Sequence, residues 1–128
     1  TPPINVFEGK IYDNTLYIGE NAVLTTQGLS DMDVYVGIRP EGFIPEENGP
    51  FVCRLNRVEV TGRDSSVIST HTCSLNGTIR SIINSDCVIN TETDTVRFSL
   101  KPHKVCLFHK ETKERIYFSG NESTQRRQ

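Results

Sequence analysis

Apolar residues recur along this chain with a period of two. The cleanest stretch is Thr95 to Lys101, where Val96, Phe98 and Leu100 alternate with Arg97, Ser99 and Lys101, the pattern of a strand with one face buried and one in water. Val34, Val36 and Ile38 fall on one face of a second alternating run, which ends at Gly37-Ile38-Arg39-Pro40-Glu41. Less regular strands are predicted at Ile4 to Tyr12, Thr15 to Ile18, Ala22 to Thr26, Val67 to Leu75, Thr78 to Ile83, Val105 to Lys110 and Arg115 to Ser119. Turn chemistry separates them: Asp13-Asn14, Gly19-Glu20-Asn21, Glu47-Asn48-Gly49-Pro50, Asn76-Gly77, Ser85-Asp86 and Glu111 to Glu114. Many short strands at this spacing predict a barrel or a sandwich, and nothing argues for a long helix.

Three local features refine the pattern. Pro40 fixes its own φ, lacks a donor and pushes Arg39 into an extended conformation, so the strand before it must stop pairing there or lie at an edge. Between Phe51 and Val60 the apolar parity changes, Phe51, Cys53 and Leu55 being odd and Val58 and Val60 even. A bulge near Asn56-Arg57 reconciles the halves and predicts a long, sharply bent strand that runs from one side of a closed sheet to the other. Asn76-Gly77 has the residue types of a type I′ turn, which predicts a tight hairpin between Val67 to Leu75 and Thr78 to Ile83. From Ser119 onward no apolar anchor is present, so a domain over 1–119 and a frayed tail over 120–128 are expected.

At 128 residues the chain fits one domain and is long enough for a real core. Its start, Thr1-Pro2-Pro3, has neither an initiating methionine nor a signal-peptide pattern, so a piece of something longer is expected. No run approaches a membrane-spanning helix, which predicts a soluble domain. A net charge of −2, with 14 basic residues dispersed among 16 acidic ones, gives no footprint for nucleic acid. Arg54, Arg57 and the Arg126-Arg127 pair read as solvated charges. Cys53, Cys73, Cys87 and Cys106 have no C-x-x-C spacing and are expected as free thiols. The less favoured reading is two disulfides in a secreted chain, with Asn76-Gly77-Thr78 and Asn121-Glu122-Ser123 as sequons.

Candidate chemistry is sparse. Gly9-Lys10 and Gly62-Arg63 lack the leading glycine and following hydroxyl of a phosphate loop. His71 and Cys73, two apart, could offer two metal ligands, with Cys53 or Cys106 as a third; small polar residues filling a barrel are the favoured reading, ahead of metal. Glu46-Glu47 and the Glu92, Asp94 pair sit in turn-like segments and read as solvated loops. Most of the ten aromatics are assigned to the core.

Five segments, taken in order, resemble the C-terminal regulatory domain of the ATP-binding subunits of sugar-importer ABC transporters. They are Pro3-Ile4-Asn5-Val6-Phe7, Gly37-Ile38-Arg39-Pro40-Glu41, Arg57-Val58-Glu59-Val60 with Gly62, Lys104 to Phe108, and Lys110 to Ile116. The second is similar to the family's G-I-R-P-E signature. The last two resemble a closing hairpin in which His109 stands for the usual acid and Lys113 for the usual turn glycine. The resemblance implies an all-β fold, an oligonucleotide-binding-like (OB-fold-like) β-barrel with additional strands. It implies structural roles for Gly37, Ile38, Arg39, Pro40, Glu41 and Phe108, and Arg39 with Glu41 is expected to form a structural corner, the guanidinium partly buried and paired. It also implies a non-catalytic domain that pairs with a second copy while ATPase halves open and close. ATP and magnesium would bind a preceding N-terminal ATPase domain, and a membrane permease would be met through it, at the cytoplasmic face. From another class comes a free-standing barrel for a small oxyanion or single-stranded nucleic acid.

Overall fold

The computed structural model describes residues 4–121. Strands β1 (Asn5–Tyr12), β2 (Thr15–Ile18), β3 (Asn21–Thr25) and β4 (Met32–Ile38) lead to a 3₁₀ turn at Pro40–Gly42. Strands β5 (Phe43–Pro45), β6 (Phe51–Thr61), β7 (Asp64–Thr70), β8 (Thr78–Asn84) and β9 (Thr95–Leu100) follow. After a second 3₁₀ turn at Pro102–Lys104 come β10 (Val105–His109) and β11 (Arg115–Ile116). All pairings between these strands are antiparallel. One sheet has the order β11-β10-β4-β1-β2-β3, the other β5-β9-β6-β7-β8. The second sheet curls until its edges, β5 and β8, touch. The fold is therefore an all-β, OB-like barrel, nearly closed, carrying a further sheet.

Alternation along the strands builds the core. Phe7, Val36 and Leu107 lie opposite one another on β1, β4 and β10, and all are fully buried. From the barrel come Phe43, Phe51, Phe98, Val67 and Ile79, joining the same cluster. Phe7 meets Phe51 edge-on at 5.4 Å and 79°, and Phe43 meets Phe98 at 5.0 Å and 66°, geometries that ring quadrupoles favour. Asn5 ties the two sheets together. Its Nδ2 donates to the carbonyls of Ile38 (3.1 Å) and Arg80 (3.0 Å), and its Oδ1 accepts the Arg80 N–H (3.1 Å).

The expected bulge is present. Register slips between Leu55 and Arg57, leaving Asn56 as the extra residue. β6, eleven residues long, pairs with β9 through Phe51 to Arg54 and with β7 through Arg54 to Thr61. The bend thus hands one strand from one neighbour to the next, which is how a small sheet turns a corner.

β7 and β8 pair as the expected antiparallel hairpin, but the tight two-residue turn expected at Asn76-Gly77 is corrected. β7 ends at Thr70, and residues 71–77 form a longer connection before β8. That connection leaves its own hairpin to pair with β1: the Glu8 N–H donates to the Cys73 carbonyl (3.0 Å) and the Leu75 N–H to the Val6 carbonyl (2.8 Å). Asn76 Oδ1 accepts the Val6 N–H at 2.6 Å, so Asn76 serves β1 rather than a two-residue turn. A true two-residue turn with two positive φ values occurs at Asp13 (52°) and Asn14 (60°), joining β1 to β2. β5 was not anticipated from sequence, being only three residues of which Ile44 is exposed. In the expected tail, Asn121 is buried and donates from Nδ2 to the carbonyls of Pro102 (3.2 Å) and Val105 (2.9 Å). The rest of that tail, 122–128, lies outside the described residues.

Candidate functional site

The Gly37-Ile38-Arg39-Pro40-Glu41 segment forms the joint between the two sheets. Gly37 and Ile38 are the last residues of β4, where pairing stops as Pro40 requires. The chain then turns through Pro40–Gly42 into the barrel strand β5. The Arg39 N–H donates to the Lys104 carbonyl (3.1 Å), and the Lys101 N–H to the Gly42 carbonyl (2.9 Å), so the two 3₁₀ turns brace each other. Pro40 and Gly42 are buried inside this brace.

Arg39 and Glu41 do not pair. The Arg39 side chain is exposed and makes no ion pair or hydrogen bond among the described residues. Glu41 instead faces Lys104, with the Nζ 3.5 Å from its carboxylate. A hydrogen bond to its own backbone N–H, then the Lys104 charge, hold the Glu41 carboxyl below its ordinary range. The proline-set geometry points the two side chains to different surroundings, which the spacing alone did not reveal.

Phe108 lies on the outer face of the six-stranded sheet. Cross-strand partners share a face, and the register places Glu8, Tyr35, Phe108 and Arg115 in one row across β1, β4, β10 and β11. The row beneath the sheet is Phe7, Val36, Leu107 and Ile116. On the outer row the Arg115 guanidinium stands 4.4 Å from the Tyr117 ring and 5.9 Å from Phe108. Lys110 and Lys113 stand 5.8 and 5.9 Å from the Tyr35 ring, and Lys110 reaches Glu8 at 3.5 Å. A shallow depression of about 570 Å³ continues the face, lined by Lys10, Tyr12, Tyr17, Asp33 and their neighbours.

The assignment of most aromatics to the core is corrected by this face. Five of the six phenylalanines are buried, but Phe108 and all four tyrosines are not. A signal for it was present in the alternation itself: Tyr35 has the opposite parity to Val34 and Val36, and so had to face outward. Arg115 and Tyr117 carried no comparable signal, because β11 has only two residues.

The remaining candidates do not converge. His71 and Cys73 are neighbours, but Cys53 sits in the barrel core and Cys106 on the outer face. Among the described residues no three His, Cys, Asp or Glu side chains gather as a metal would need. Both His71 nitrogens are engaged: Nδ1 accepts the Cys73 N–H (3.0 Å) and Nε2 lies 3.4 Å from Asn21 Oδ1. Burial pushes the Cys53 thiol up to about 12, which makes it a poor nucleophile. All four cysteines are free thiols. Gly9-Lys10 lies inside β1 and Gly62-Arg63 is the β6–β7 hairpin turn, so neither opens a helix. Glu46 and Glu47 line an open groove with Val88, Ile89 and Val96, while Glu92 and Asp94 are exposed in the adjoining loop. Arg57 is an exposed partner of Glu59 at 2.7 Å, Arg54 is exposed, and Arg126-Arg127 lies outside the described residues. No helix among the described residues is long and apolar enough to cross a membrane.

No protein-family model matches the chain, and no curated protein matches it. The geometry and the ordered motifs therefore carry the functional reading.

Proposed function

We propose that this chain is a non-catalytic pairing domain of the ATP-binding subunit of an ABC-class importer of sugars or related solutes. Two copies meet through the outer face of the six-stranded sheet, around Tyr35, Phe108, Arg115 and Tyr117. The observation that carries the reading is the composition of that face: tyrosine, phenylalanine and arginine, partly exposed and already ordered by mutual stacking, are the residues enriched at protein interfaces. Support also comes from Lys113, whose φ is +68°. It stands where the family resemblance puts a turn glycine, and it holds the backbone that a glycine would adopt freely. A permanent contact of this kind keeps each ATPase half at high effective concentration for the other.

A single-stranded nucleic-acid reading draws on the same face, which gathers Lys10, Lys110, Lys113 and Arg115 beside aromatic rings. Glu8 and Asp33 interrupt that positive charge, and the cations already occupy the rings. Filter binding at low salt is expected to retain no oligonucleotide. For the pairing reading the test is sedimentation velocity over a wide concentration range. The expected result is a reversible dimer that Phe108→Asp abolishes without loss of fold; a strict monomer at the highest concentration would overturn it.

A further inference from the structure

We propose that His71 is a pH-sensitive joint: the neutral imidazole locks the 71–77 connection to β1 and to the β2–β3 turn, and its protonation releases that connection. The geometry fixes the ring's tautomer. Nδ1 accepts the Cys73 N–H at 3.0 Å, so it carries no proton. The proton is then on Nε2, which donates to Asn21 Oδ1 at 3.4 Å. That same oxygen accepts the Val52 N–H from β6 at 3.2 Å. One ring thus ties together the 71–77 connection, the start of β3 and, through Asn21, the barrel.

The ring is half-buried, with packing partners on more than one side. The ring packs against Phe51 (5.1 Å between centroids) and Phe7 (6.4 Å). Gly19, at a φ of +62°, backs onto it: a Cβ there would lie 3.3 Å from Cε1 and 3.4 Å from Cys73 Sγ. A second proton on Nδ1 would face the Cys73 N–H head-on, donor against donor, and that hydrogen bond must break. The bond protects the pairing beyond it, since Cys73 and Leu75 are the residues that bond Glu8 and Val6 of β1.

Among the described residues no carboxylate pairs with the ring to stabilise an imidazolium. The charged groups on the elements around the ring are Glu20 in the β2–β3 turn, Glu8 and Lys10 on the outer face of β1, Arg54, Arg57 and Glu59 on β6, and Asp64 on β7; the titratable thiols are Cys73 beside the ring and Cys53 on β6. None forms an ion pair with His71 among the described residues. Burial alone depresses its basicity. Charging this ring therefore costs the closed state and favours the open one, independently of whether two copies pair.

Amide hydrogen exchange, read residue by residue across the acidic range and corrected for the intrinsic pH dependence of exchange, tests the joint. The amides of Glu8, Cys73 and Leu75 are expected to lose protection by up to about tenfold per pH unit once the ring titrates, while those of β6 and β9 hold. His71→Asn retains an acceptor for the Cys73 N–H but cannot titrate, and should flatten the dependence. Should that variant fail to fold, NMR titration of the wild-type ring supplies the second readout. The Cys73 amide and Asn21 side-chain resonances must then move with the imidazole's own curve. Uniform loss of protection, or an imidazole that titrates without moving either neighbour, would overturn the proposal.

Discussion

Arg39 shows most plainly how a single residue's position decides its weight. Its guanidinium is exposed and unpaired among the described residues, so Arg39→Ala should change the unfolding free energy by less than about 0.5 kcal/mol, measured by urea denaturation. Asn5 is the opposite case. It is buried, and Asn5→Ala would leave the Arg80 N–H without its acceptor and two carbonyls without their donor, for an expected loss of about 2–3 kcal/mol in the same assay. Lys113 holds a left-handed backbone at φ +68°, a conformation costly for a residue with a Cβ. Lys113→Gly should therefore stabilise by about 0.5–1 kcal/mol, offset in part by the lost contact with Tyr35, and a rise in Tm would show it. The sequence made Lys113 visible only as a departure from an expected glycine. Asn5 was visible only as a motif letter, because its three hydrogen bonds span residues 33 and 75 positions away.

Strands with strict alternation were legible because burial of one face leaves a direct trace in the residue types. β9 and the Val34 to Ile38 part of β4 are of this kind. The bulge in β6 was equally legible, since a parity change has few other physical causes. The connection at 71–77 was not, because Asn-Gly satisfies a local rule that a tertiary contact with β1 overrides. Gly49 illustrates a demand that only packing reveals. It is buried against the β9 backbone, and a Cβ would lie 2.5 Å from the Phe98 carbonyl carbon. Backbone cannot step aside as a side chain can, so Gly49→Ala is expected to cost about 1–3 kcal/mol, with a lowered denaturation midpoint as the readout.

At the scale of the whole molecule, acid should act in two stages. His71 has its basicity lowered in the folded state from the ordinary value of 6.5, so the unfolded chain binds that proton first. Its stabilisation is complete above that value and is lost as the pH falls below it. Glu41 and Glu59 are held below the ordinary 4.5, so their contribution is present above that value and fades as the pH falls through the folded-state range. The inner core and the outer aromatic face are the two sides of one six-stranded sheet, and the fold orders both. Pairing through that outer face is the central claim, and NMR chemical shifts followed on dilution test it most directly. Concentration-dependent shifts confined to the neighbourhood of Tyr35, Phe108, Arg115 and Tyr117 are expected. Shifts that never change with concentration, or that cluster on the barrel instead, would contradict it.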